Sequence, residues 1–79
     1  MDATELNRLR WRCRRGLLEN NLILARYLDA RGSTLSDRDV AELDRLLDLA
    51  DDELWDLIVG RTEPRDPDLL PMVTDLRSA

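Results

Sequence analysis

The chain has 79 residues, enough for one domain with a small core and modest stability. Apolar residues make up 43% and charged residues 37%; phenylalanine is absent and leucine dominates, a balance that disfavours a sheet and suits a helical domain. With no histidine and a single cysteine, the chain lacks the usual residues of metal sites and imidazole catalysis and cannot close an internal disulfide.

The net charge of −5 is unevenly spread. Residues 1–31 hold seven Arg against four acids, net +3, whereas residues 32–79 hold five against thirteen, net −8. A basic end could contact nucleic acid, but the acidic bulk opposes long-range attraction to phosphate, so a solvated charged surface is the favoured reading. No apolar run is long enough to span a membrane, and the acidic N-terminal residues lack the build of a signal peptide. A cytoplasmic protein without membrane insertion is expected.

The first helix is expected over about residues 3–14, with Asp2 and Glu5 spaced as a capping box. Leu6, Leu9 and Cys13 mark its apolar stripe, which makes Cys13 a buried small hydrophobe. Arg8, Arg12 and Arg15 share a polar face with Trp11 beside them. For Trp11, burial or a protein interface is favoured over stacking on a ligand ring, and the sequence leaves both Trp11 and Trp55 open between core and interface. The stripe does not continue in phase past Gly16, which predicts a helix break there, with Arg14 and Arg15 ending one helix and Glu19 in the first turn of the next.

The second helix is expected over about 17–30, central in the bundle, with a wide apolar face of Leu17, Leu18, Leu22, Ile23, Leu24, Ala25 and Leu28. Asn20 and Asn21 interrupt it, either facing solvent or belonging to a contact surface. Gly32 is placed at the left-handed residue after the helix. The third helix, about 37–49, opens with Ser36 as N-cap, Asp39 three residues on and Leu35 poised to staple onto Val40. The fourth, about 52–59, is expected to be capped by Asp51, to bury Leu54, Leu57 and Ile58, and to stop at Gly60. Asp51, Asp52 and Glu53 lack the ligand spacing of a calcium loop and read as helix-start charges. After a linker containing Pro64, the last helix, about 69–77, carries Pro71 in its first turn. The expectation is an all-α, compact five-helix bundle in a single domain over 1–79.

Catalytic chemistry is absent from this inventory. The three glycines are isolated and form no phosphate loop, and the paired carboxylates lie on polar helix faces and caps. A binding module and not an enzyme is expected, with an arginine-rich patch around Gly16 as its odd feature.

At Arg15-Gly16-Leu17-Leu18-Glu19, preceded by Trp11, Cys13 and Arg14, the chain resembles the SdhE-type succinate dehydrogenase assembly factors. The resemblance continues through Leu35-Ser36-Asp37, Leu46-Leu47, Leu54-Trp55 and the linker with Pro64, so it covers nearly the whole chain. It implies a five-helix bundle that helps attach FAD covalently to the flavoprotein subunit of succinate dehydrogenase and, in some bacteria, of fumarate reductase. It also implies that Arg15, Gly16 and Glu19 form the client-contacting patch, with Arg14 as the basic residue just before it. FAD is then the client's cofactor, this chain binds none itself, and the free protein is a monomer. Many family members continue Glu-Leu-Asp, whereas Asn20 and Asn21 follow Glu19 here, so a role of that acid does not carry over.

Besides direct FAD binding by this chain, which no dinucleotide fingerprint supports, two other readings compete. One is a non-catalytic interaction module of another kind, such as an antitoxin, which would leave flavin attachment untouched. The other is a nucleic-acid binder using Arg8, Arg10, Arg12, Arg14 and Arg15, whose affinity would fall steeply with salt.

Overall fold

Helix starts and stops follow local chemistry over most of the chain. The computed structural model describes residues 3–14 and 16–79. Helix α1 runs Ala3–Arg12, α2 Leu18–Arg31, α3 Asp37–Leu47, α4 Asp51–Ile58 and α5 Leu70–Arg77. Short 3-10 turns, Gly32–Thr34 and Pro67–Leu69, lead out of α2 and into α5. With five helices and no strand among the described residues, the all-α bundle expected from the sequence is the one observed. Asp2, half of the expected capping box on α1, lies outside the described residues.

The break at Gly16 is present: α1 ends two residues earlier than expected, at Arg12, and α2 begins at Leu18. The start of α3 is a full capping box. Asp39 N–H donates to Ser36 Oγ at 3.1 Å, and Ser36 N–H donates to Asp39 Oδ2 at 3.1 Å. Leu35 and Val40, which flank it, are both buried, as a hydrophobic staple requires. Pro71 sits in the first turn of α5, where its missing N–H breaks no helical bond. Ahead of it, the Asp66 carboxylate accepts the Asp68 N–H at 2.9 Å. That bond, and then the Arg45 guanidinium at 2.7 Å, hold the Asp66 carboxyl below its ordinary value.

Two glycines behave differently from each other. Gly60, just beyond α4, adopts φ +83, the left-handed conformation. Gly32 does not: at φ −54 and ψ −42 it is right-handed, correcting the expectation. Gly32 is buried, and an added Cβ would lie 2.8 Å from Leu6 Cδ1, so it makes room for a side chain of α1.

In the core, α2 packs on α4 and α5, and α5 also meets α3. Leu9, Leu24, Leu28, Leu43, Leu46, Leu54, Met72 and Leu76 are shielded almost completely from solvent. Cys13 is buried, as its place on the stripe suggested. The expected face of α2 needs correction: Leu18 and Leu22 are 61% and 51% exposed, and Ala25 is exposed too. The inward face carries Asn20, Leu24, Tyr27 and Leu28 instead. A helix with leucines all round can bury only the side that meets its neighbours, here α4 and α5. Asn20, expected at the surface, is fully buried. Trp55 packs half-buried against the core, whereas Trp11 is 70% exposed, which removes the burial option for it.

The uneven charge has a structural use. Arg8 reaches Asp44 at 3.2 Å, and Arg12 reaches Asp44 at 2.8 Å and Asp48 at 2.6 Å, so the basic face of α1 lies on the acidic face of α3. The Asp48 hydrogen bond raises the Arg12 guanidinium further above its ordinary value. Burial pushes the Asp44 carboxyl up, but the hydrogen bonds and charges of Arg8 and Arg12 outweigh it and leave the group below the usual carboxylate value. The radius of gyration, 11.5 Å, is that of a close-packed chain of this length. Among the described residues, no helix is long and apolar enough to cross a membrane.

Candidate functional site

The connection between α1 and α2 places three of the four expected site residues on one surface. Arg14, Gly16 and Glu19 are all exposed there, while Arg15 lies outside the described residues. Arg14 leaves the end of α1 through a turn in which its N–H donates to Trp11 O at 3.1 Å. That turn folds its guanidinium over the Trp11 ring, 4.8 Å from the centroid. The pair is a flat cationic plate that keeps Trp11 at the surface; at an exposed site such contacts contribute about 0.5–1 kcal/mol. Glu19, in the first turn of α2, has a favourable position against the helix dipole.

Beneath this surface lies a set of contacts that the sequence reading did not foresee. Asp51 was expected to cap α4. The N-cap is Ala50, with extended backbone and no side-chain hydrogen bond, and Asp51 is the first helical residue. Its carboxylate points away from its own helix. Asp51 Oδ2 accepts the Gly16 N–H at 3.1 Å and the Leu17 N–H at 3.3 Å. Its backbone oxygen accepts from Asn20 Nδ2 at 2.9 Å. Asp51 thus anchors the start of α2 twice, by its side chain through the turn and by its carbonyl through the third residue of the helix. Leu17, the N-cap of α2, offers no side-chain acceptor, so the carboxylate from α4 supplies the negative charge that a helix start favours.

The burial of Asn20 follows from this role, since its amide must reach the Asp51 carbonyl. Its Oδ1 is buried with no hydrogen-bond partner among the described residues. No local pattern in the sequence singled out this role, since Asp51, Asp52 and Glu53 all suit the first turn of α4. Beside the plate, a shallow cleft of about 270 Å³ between α1 and α2 is lined by Arg10, Cys13, Arg14, Asn21, Ala25 and Leu28. Of the five arginines that suggested nucleic acid, Arg8 and Arg12 are spent on Asp44 and Asp48, and Arg10 pairs with Asp29 at 2.9 Å.

Comparison with known proteins finds relatives along nearly the whole chain. The family model described as flavinator of succinate dehydrogenase matches residues 7–79. A protein of Ralstonia nicotianae named FAD assembly factor SdhE is 51% identical over 57 residues, which are 72% of this chain and 60% of that protein. Its namesake from Shewanella oneidensis is 36% identical over 77 residues, 98% of this chain and 94% of the relative. One from Legionella pneumophila (strain Lens) is 35% identical over 78 residues, 99% and 98% of the two chains. By these names the family is one of assembly factors and not of catalysts. A family model that accounts for all but the first six residues, and relatives aligned end to end, establish that this chain belongs to the succinate dehydrogenase flavinator family.

Proposed function

We propose that this chain is a cytoplasmic FAD assembly factor that promotes covalent flavinylation of the flavoprotein subunit of succinate dehydrogenase, and of fumarate reductase where that enzyme is present. The observation that carries the reading is the exposure of Arg14, Gly16 and Glu19 on one surface, in a chain whose relatives bear the name FAD assembly factor. Arg14, Arg15, Gly16 and Glu19 are the client-binding residues. The chain carries no histidine, and in this reading the flavin bond is made by client groups on the client's FAD. Its contribution is conformational: a small protein that binds only the productive arrangement of the client shifts the population toward it. Charge-assisted hydrogen bonds from Arg14, Arg15 and Glu19 provide the preference for that arrangement. The free protein acts as a monomer.

The test mixes purified apo flavoprotein subunit with FAD, with and without this chain, and follows flavin fluorescence on a denaturing gel. The expected result is faster or fuller attachment with the wild-type chain and none of that gain with Gly16→Arg, which stays helical by circular dichroism. No acceleration of a client that demonstrably binds FAD overturns the assembly role. Full acceleration by folded Gly16→Arg overturns the placement of the surface.

A further inference from the structure

Gly16 is exposed, so no crowded surface demands a glycine. What surrounds the missing side chain is informative. A Cβ built on Gly16 would lie 3.3 Å from Asp51 Oδ2, and no other atom of the described residues beyond its chain neighbours falls within 4 Å. The vacant direction points inward, at the same oxygen that accepts the Gly16 and Leu17 N–H groups. A separation of 3.3 Å is tighter than most carbon–oxygen contacts, so a side chain here requires the carboxylate that accepts both N–H groups to give by a few tenths of an ångström. The backbone of Asp51 is itself held in place, because its carbonyl accepts from the fully buried Asn20.

From this we infer that Asp51, supported by Asn20, is the positioning residue of the client-binding surface, and that glycine is required at position 16 by Asp51 and not by close approach of the client. The inference rests on the proposed assembly role for its functional readout, but not for its structural one. Arg14 and Glu19 stand on opposite sides of the anchored turn, Glu19 one residue before Asn20. Holding residues 16 and 17 therefore fixes the spacing of the groups that meet the client. Losing the anchor leaves the helices intact and lets the surface sample arrangements that do not fit.

A double-mutant cycle decides it. The wild-type chain, Gly16→Ala, Asp51→Ala, the double variant and Asp51→Asn are compared for the rate of flavin attachment over a range of factor concentrations. Amide hydrogen exchange at Gly16 and Leu17 is measured in the free proteins. The anchored turn predicts a loss on the order of tenfold for Asp51→Ala, the equivalent of hydrogen bonds to a charged acceptor. The loss appears in the concentration needed and not in the saturated rate. It also predicts that Gly16→Ala adds nothing in the Asp51→Ala background and that Asp51→Asn, which keeps an acceptor oxygen, restores part of the activity. Exchange at both amides should quicken in Asp51→Ala. Equal losses from Gly16→Ala in both backgrounds overturn the inference, because Gly16 would then be sensed by the client directly. So does wild-type behaviour of Asp51→Ala, or unchanged exchange at the two amides. If even the wild-type chain fails to stimulate attachment, the assembly role falls while the exchange data still decide whether Asp51 holds the turn.

Discussion

Tyr27 is the one tyrosine of the chain, and its hydroxyl is buried without a hydrogen-bond partner among the described residues. Burial, and then the nearby Asp39 carboxylate, push its pKa up to about 12. The sign of the linkage follows. An unfolded chain releases this proton near its ordinary value of about 10, the folded one later, so stability is full below pH ~10 and is lost as pH rises toward 12. Because no other tyrosine contributes, tyrosinate absorbance during an alkaline titration reads this group alone. The expected midpoint lies well above that of the denatured chain. Tyr27→Phe removes an unpaired polar atom from the core, and an increase of up to about 1 kcal/mol in unfolding free energy is expected from denaturant titration. A clear decrease would mean that the hydroxyl has a partner, such as a buried water.

At the scale of single elements, the two best-defined helix boundaries carry separate predictions. Ser36→Ala deletes one half of the capping box on α3 and should cost about 1 kcal/mol by urea unfolding. Gly60→Ala touches nothing within 4 Å, yet should cost about 1 kcal/mol because the left-handed backbone disfavours any Cβ. These boundaries were legible because they depend on a few neighbouring residues: Ser36 with Asp39, Gly60 after Ile58, and the loss of phase at Gly16. Other features were not legible for an equally physical reason. Leucines occur all round α2, so only the positions of α4 and α5 decide that Leu24 and Leu28 go inward while Leu18 and Leu22 stay out. Asp51 has the composition of a cap, and its actual partners, Gly16 and Leu17, are distant in sequence. Gly32 carried the signal of a left-handed stop and serves instead to admit Leu6.

For the molecule as a whole, the separation of charge along the chain becomes attraction within the fold. Asp44 joins two arginines of α1 to α3, and its side chain is only 30% exposed. Asp44→Ala should lower stability by about 1 kcal/mol, more at low than at high salt, as measured by thermal melts across an ionic-strength series. The carboxyls of Asp44 and Asp66 both titrate below their ordinary value. Their contribution is therefore present above pH ~4 and disappears as pH falls through the lowered pKa values. Urea midpoints should drop from neutral pH to pH ~3, and Asp44→Asn should flatten that drop. Helix α4 was legible in the sequence, whereas its hold on the start of α2 through Asp51 was not.

The anchor on Gly16 also orders events in time. The acceptor lies 35 residues further along the chain than the amide it holds. On a ribosome adding about 5–20 residues per second, the Arg-Gly-x-x-Glu stretch is made roughly 2–7 seconds before Asp51. During that interval the motif exists as sequence without its shape. Prematurely terminated chains that end before α4 carry every motif residue but lack the carboxylate that holds the Gly16 and Leu17 amides in the complete molecule.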